Sequence, residues 1–182
     1  LFQPDGKRIQ LSMSKRVFLE TFKFKWLYTR IDYDKGKKLP PKFLPTGWNK
    51  KSINELDDYR NGSYNAEANY NAHILDLKSS RTNEFGGFLV VDNDVKDPVE
   101  RQKMTDYILQ KYPGGIVTES MSGNNHIWYK RKIEDTTSKT KQRYMTTEHG
   151  HVDLLYDICY EPITHDERIM NIETMSEFPD FV

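Results

Sequence analysis

Hydrophobic positions are unevenly spread along the chain, and the densest runs lie in its middle. GGFLVVDNDV, residues 86–95, sets four consecutive apolar residues after a glycine pair, the pattern of a strand buried on both faces. Asp97, Pro98 and Glu100 then supply a helix N-cap, a first helical position and the carboxylate of a capping box. Met104, Tyr107, Ile108 and Tyr112 share one face of the helix that follows, and Pro113-Gly114-Gly115 ends it. IVTES, residues 116–120, reads as a second strand, so the segment predicts a strand–helix–strand unit with parallel strands. NHIWYKRK (125–132) predicts a third strand and HVDLLYDICY (151–160) a fourth, with a Thr/Lys-rich excursion through 143 between them.

The flanks are less regular. FKFKWLY (22–28) alternates as a strand does, and DKGKKLPPKFLPTGWNKKS (34–52) is a loop by its Gly and Pro content. SINELDDYR (52–60) predicts a short helix capped by Ser52, and within 61–84 only AHILDL (72–77) is patterned for order. The resulting organisation is an arm over 1–15, an N-terminal elaboration over 16–84, a core over 85–160 and an acidic segment over 161–182. The economical fold class is α+β, with a four-stranded core.

Composition narrows this picture in three ways. With 36% apolar, 30% charged and 13% aromatic residues, the chain is too aromatic for a disordered one. No run approaches the ~18 apolar residues of a membrane span, so no membrane partner is expected. The single cysteine, Cys159, excludes an internal disulfide and a cysteine-built zinc site, and fits a reducing, intracellular compartment. Charge is balanced at 27 basic against 27 acidic residues, yet residues 1–51 carry 13 against 4 and residues 146–182 carry 1 against 9. The neutral sum therefore does not argue against a nucleic-acid partner.

The candidate chemistry begins at the end of the apolar run. On an extended backbone Asp92 and Asp94 point to one face and Asn93 to the other. Two carboxylates that close repel each other, and a hard divalent cation, Mg2+ or Mn2+, resolves the conflict while binding ligand phosphates. Asp153, in the fourth strand, is the candidate third ligand. The bland alternative is a pair of turn residues and an edge-strand aspartate. Ser122 and Gly123 form a polar turn able to offer backbone N–H groups to an anion, and His126 beside it could donate to phosphate. Lys130, Arg131 and Lys132, interleaved with Trp128 and Tyr129, read either as a solvated charge run or as a nucleic-acid surface. The lysines around Trp48, including Lys37, Lys38 and Lys42, form a second such patch.

The series DND after a hydrophobic strand, SGNNH, and then HVD resembles the three-motif signature of archaeo-eukaryotic primases. The likeness is to the primase-polymerase domains of plasmids, phages and large DNA viruses. It spans about residues 23–160 by motif order, with 86–132 matching most closely. The resemblance implies an RRM-like four-stranded catalytic core in which Asp92, Asp94 and Asp153 bind the catalytic metals. It also implies that Ser122, Gly123 and His126 meet the phosphates of the incoming nucleotide, with Lys130 or Lys132 offsetting charge. Lys37, Lys38, Pro40, Pro41 and Trp48 are comparable to a lysine/proline segment and tryptophan of that family. The implied partners are a single-stranded DNA template, NTP or dNTP, and a replicative helicase in the same polypeptide or complex. Two departures stand out: Asn124 and Asn125 replace a second glycine before the histidine, and His149 and His151 flank the third motif.

Two rival readings stand beside this one. One is a metallohydrolase or nuclease in which His149, His151 and Asp153, with Asp157 beyond, hold zinc or manganese. The other is a nucleic-acid-binding replication module without turnover.

Overall fold

The computed structural model describes residues 12–45, 47–48, 69–163 and 169–179. Among these residues it shows an α+β architecture with two α-helices and several antiparallel sheets. The anticipated helix at 52–60 and most of the N-terminal arm lie outside the described residues. Among the described residues no helix is long and apolar enough to cross a membrane.

In chain order the elements begin with β1 (Ser12–Ser14), α1 (Lys15–Thr21) and β2 (Lys25–Thr29), then the hairpin strands β3 (Tyr33–Asp34) and β4 (Lys37–Lys38). After β5 (Ala72–Asp76) come β6 (Phe88–Asn93), α2 (Pro98–Lys111), β7 (Ile116–Glu119) and β8 (Asn125–Lys130). The last are β9 (Lys141–Thr147), β10 (Gly150–Leu155), β11 (Ile158–Pro162) and β12 (Ile169–Asn171).

The main sheet has five strands in the order β7-β8-β6-β10-β9, all neighbours antiparallel. Because β8 lies between them, β6 and β7 run parallel without touching, as the strand–helix–strand pattern predicts. Helix α2 starts where expected: the Asp97 side chain accepts from the N–H groups of Val99 and Glu100, with Pro98 at the first helical position. Glu100 does not close the capping box but reaches His149 and Lys103 instead.

Alternation along the strands sorts the main sheet into two faces. Leu89, Val91, Ile127, Tyr129, Val152 and Leu154 pack with Met104 and Ile108 of α2. On the opposite face Phe88, Val90 and Trp128 meet Phe18 and Leu19 of α1, Phe24, and Trp26 and Tyr28 of β2. That second layer is a three-stranded sheet, β11-β5-β2, whose central strand β5 is buried at every residue. The patterned segment 72–77 is therefore a core strand over Ala72–Asp76, with Leu77 buried at the turn that follows.

Three anticipated elements change. The end of the Thr/Lys-rich excursion runs into β9, an edge strand of mostly polar residues in which only the adjacent Tyr144 and Met145 pack on the core. HVDLLYDICY is not one strand: the chain breaks at Tyr156-Asp157, leaving β10 in the main sheet and β11 in the second. The pattern hid this break, because both halves alternate buried with half-exposed residues, each in its own layer. The core is thus five-stranded instead of four-stranded. Finally, the strand anticipated at 22–28 begins at Lys25, after helix α1, which Ser14 caps by accepting from the Val17 N–H.

Candidate functional site

The register of the main sheet aligns one residue from each of four adjacent strands. Asp153 of β10 pairs with Asp92 of β6, Asp92 with His126 of β8, and His126 with Thr118 of β7. Directly opposed residues share a face and stand about 5 Å apart at Cα. This is the face of Val90 and Trp128, at the end of β6 from which Asp94 projects. The Ser120–Ser122 turn, the β3–β4 hairpin and β11 close around it into a cleft of about 350 Å³. Asp92, Asp94, Ser122 and His126 line that cleft together with Lys38, Lys96, Tyr33, Leu155, Ile158 and Tyr160.

The alternation within DND has a structural meaning. While both aspartates face the cleft, the Asn93 side chain turns into the opposite layer. There its amide donates to the Thr105 hydroxyl and the Arg101 carbonyl of α2. Asn125, its cross-strand partner, donates to the same hydroxyl. The two asparagines thus fix α2 against the sheet end that carries the acids.

Asn124 does the corresponding work on the cleft side. Its side-chain amide donates to Asp94 and to the Ser122 hydroxyl, and its carbonyl oxygen accepts from Arg101. The turn is tight enough to put Gly123 at φ +80°, where a side chain would be strained. Of the two asparagines that depart from the motif pattern, Asn124 is therefore tied to the acid Asp94 and Asn125 to Thr105 of α2. Asp94 also pairs with Lys96 at 3.0 Å, and Asp153 accepts from the Arg143 N–H at 2.8 Å.

His126 is almost wholly buried and is contacted at both ring nitrogens. Nε2 lies 3.5 Å from an Asp92 oxygen, while Nδ1 lies 3.2 Å from Glu161 and 3.6 Å from the Cys159 sulfur. Burial disfavours its cation, but the contacts with Cys159, Asp92 and Glu161 outweigh this and hold its pKa well above the ordinary value. Glu161 is buried as well, 3.3 Å from the ammonium of Lys15. Burial pushes its carboxyl up, yet Lys15 and His126 bring it down to about 2. Burial pushes the Cys159 thiol up.

His126, Cys159 and Glu161 place one ligand atom each within 4.8 Å of one another, so this buried cluster has the donors and spacing to hold a metal ion. Among the described residues it is the group that meets this spacing. Asp92, Asp94 and Asp153 share a face without closing to it, each carboxylate being turned to a different partner. Neither do His149, His151 and Asp153 close up: His149 Nδ1 is 2.7 Å from Glu100 at the start of α2, and His151 is exposed.

The other sequence candidates scatter. Lys130 stands four residues along β8 from His126, roughly 13 Å at 3.3 Å per residue, and Lys132 lies beyond the strand. Both belong to the opposite end of the sheet, because the strand carries the chain away from the cleft. Arg131 is buried: its guanidinium binds Asp135 and the Thr137 carbonyl and lies over the Tyr156 ring, so it is engaged inside the fold. Trp48 packs on Leu27 and Ile74 instead of presenting a free ring. Lys42 pairs with Asp32, and Lys37 is exposed on the hairpin. Lys38 instead reaches into the cleft, its ammonium 3.8 Å from the centre of the Tyr160 ring.

Lys15, Asn124, Glu161 and Tyr160 are the site residues that the motifs do not mark. Only the position of Asn124, inside the SGNNH turn, offered a sequence signal. Comparison with known protein families, with curated proteins and with solved structures gives no match to this chain.

Proposed function

We propose that the protein is a metal-dependent nucleotidyltransferase that makes or extends a primer on single-stranded DNA. The observation that carries this reading is the convergence, in one cleft at the end of β6, of Asp92, Asp94, His126 and Ser122, with Asp153 adjacent in register. Distant stretches of sequence supply these residues, and they are the ones the three-motif resemblance marks. The strand order β7-β8-β6-β10, with α2 between β6 and β7 in the chain, is compatible with the four-stranded core that the resemblance implies.

The hard oxygens of Asp92 and Asp94, partly solvated and on one face, fit magnesium or manganese, with Asp153 as the third carboxylate. Bound there, the cation supplies Lewis-acid stabilisation of the triphosphate and lowers the pKa of the attacking hydroxyl. The chain's own groups do the rest. Asn124 aims Asp94, and His126 presents Nε2 to the cleft beside Asp92. The Ser122 hydroxyl and the Lys38 ammonium meet the phosphates, so Lys38 serves the nucleotide in place of the template role its sequence context implied. Leu155, Ile158 and Tyr160 give the cleft an apolar wall suited to a sugar or base. The basic excess of residues 1–51 holds the template phosphates.

The test is incubation with single-stranded DNA, manganese and labelled ribo- or deoxynucleotides, with and without an annealed primer. Incorporation that requires both template and metal is the expected result. Template binding without any incorporation, under either nucleotide set, overturns the reading in favour of a non-catalytic module.

A further inference from the structure

Three ionisable side chains lie in a line beneath the cleft floor, from three separate elements. The Lys15 ammonium of α1 donates to Glu161 at 3.3 Å and to the Pro162 carbonyl at 3.1 Å. Glu161 of β11 accepts from the Thr118 hydroxyl at 3.2 Å and faces His126 Nδ1 at the same distance. The Thr118 hydroxyl in turn accepts from the Trp128 indole at 3.0 Å. Lys15, Glu161 and His126 are each at least 95% buried.

Burying charges in this way is expensive, and apolar residues of similar volume would serve packing as well or better. What the arrangement does achieve is a defined ring. An ionised carboxylate only accepts, so Glu161 requires Nδ1 of His126 to carry a proton and to donate it. With Nδ1 held from behind, the ring cannot flip, and Nε2 is the nitrogen that faces Asp92 and the cleft. Lys15 supplies the positive charge that makes a buried Glu161 tolerable. The thiol of Cys159 stands 3.6 Å from Nδ1 and is the weaker acceptor there.

We propose that Glu161, supported by Lys15, is a positioning residue that holds the Nδ1 proton of His126 and fixes the ring's orientation so that Nε2 addresses the nucleotide phosphates. The inference rests on the nucleotidyltransferase reading for its functional half. Its structural half stands apart from it, since a protonated, Glu161-bonded Nδ1 is observable without turnover. The same Nδ1 cannot both carry that proton and ligate a metal, so the proposal also assigns the His126–Cys159–Glu161 cluster to charge pairing in place of metal binding.

The test is nitrogen-15 NMR of histidine-labelled protein, with the His126 ring assigned by its loss in His126→Gln, alongside metal analysis of the protein as purified. The expected spectrum has a slowly exchanging Nδ1–H for His126 that moves in Glu161→Gln. In Lys15→Met/Glu161→Met, which removes both charges together and keeps the volume, that proton should exchange freely.

On the kinetic side, the double variant should lose roughly 10–100-fold in kcat, the usual effect of removing an orienting partner, with little change in nucleotide KM. Glu161→Gln, which retains an acceptor oxygen, should recover most of it. One equivalent of tightly bound zinc with no Nδ1 proton would overturn the proposal. So would a ring signal identical in wild type and Glu161→Gln, an outcome readable even if the double variant does not fold. A wild-type protein that incorporates no nucleotide but shows the bonded Nδ1–H would defeat the functional reading alone.

Discussion

At the scale of single residues, the site is organised by side chains whose types look unremarkable in sequence. Asn124 is the clearest case, since one amide joins Asp94, the Ser122 hydroxyl and Arg101 of α2. Asn124→Ala should lower nucleotide incorporation roughly 10–100-fold, as loss of a ligand's orienting partner does, while the thermal transition shifts by only a few degrees. Steady-state incorporation and a melting curve on the same preparation check this, and unchanged incorporation would remove Asn124 from the site. The acids themselves were legible, because carboxylates ending an apolar strand conflict with their surroundings and so demand a reason. Lys15 and Glu161 were not: they are 146 positions apart, and each alone reads as an ordinary surface charge. Arg131 failed in the opposite sense, since a charge within a basic run looks solvated while its partner, Asp135, sits in the loop that follows.

At the scale of elements, legibility followed local signals. Strand β6 and helix α2 were readable because a buried apolar run, a cap, a proline and a Pro-Gly-Gly stop all agreed. Strand β9 was not, since an edge strand exposing polar residues lacks the period that betrays a half-buried one. The division of 151–160 between β10 and β11 depended on layer packing, which no local pattern encodes. The N-cap of α2 gives a quantitative check. Asp97 accepts from two N–H groups at that terminus, so Asp97→Ala should cost about 1 kcal/mol of unfolding free energy. A urea titration measures it. Because α2 anchors Asn93 and Asn125 behind the acids, a loss of activity larger than the loss of stability is also expected in this variant.

At the scale of the molecule, the buried ionisable groups set the response to acid. His73 is buried on β5 between the rings of Trp26 and Tyr28, and burial, helped by Lys15 and Arg16, pushes its pKa down to about 3. The unfolded chain therefore takes up a proton near pH 6.5 that the folded one refuses. Stability should fall as pH drops below about 6.5, by on the order of 2 kcal/mol at pH 4.5.

Glu161, with a folded value of about 2, adds a second loss below its ordinary value of 4.5. His126 works in the opposite sense: its raised pKa contributes stability that is fully present below pH 6.5 and is lost only on raising the pH. It therefore offsets part of the decline between pH 7 and about 6 and none of it at lower pH. Denaturant midpoints at pH 7, 5.5 and 4.5 should descend in that order, and a flat series would contradict the neutral, buried His73.

The charge distribution also belongs to this scale. A formal net charge of zero combines a basic amino-terminal third with an acidic carboxyl-terminal segment, and the acidic total includes the three carboxylates proposed as metal ligands.

The central claim is that Asp92 and Asp94, brought to one cleft with His126, hold the divalent cation for nucleotidyl transfer. Its most direct test is primer extension by Asp92→Ala beside wild type in manganese, with circular dichroism to show that both are folded. Removing a ligand should cost more than the 10–100-fold typical of removing its outer partner, leaving extension at under about one-hundredth of wild type with an unchanged spectrum. Full extension by a folded Asp92→Ala protein would contradict the account.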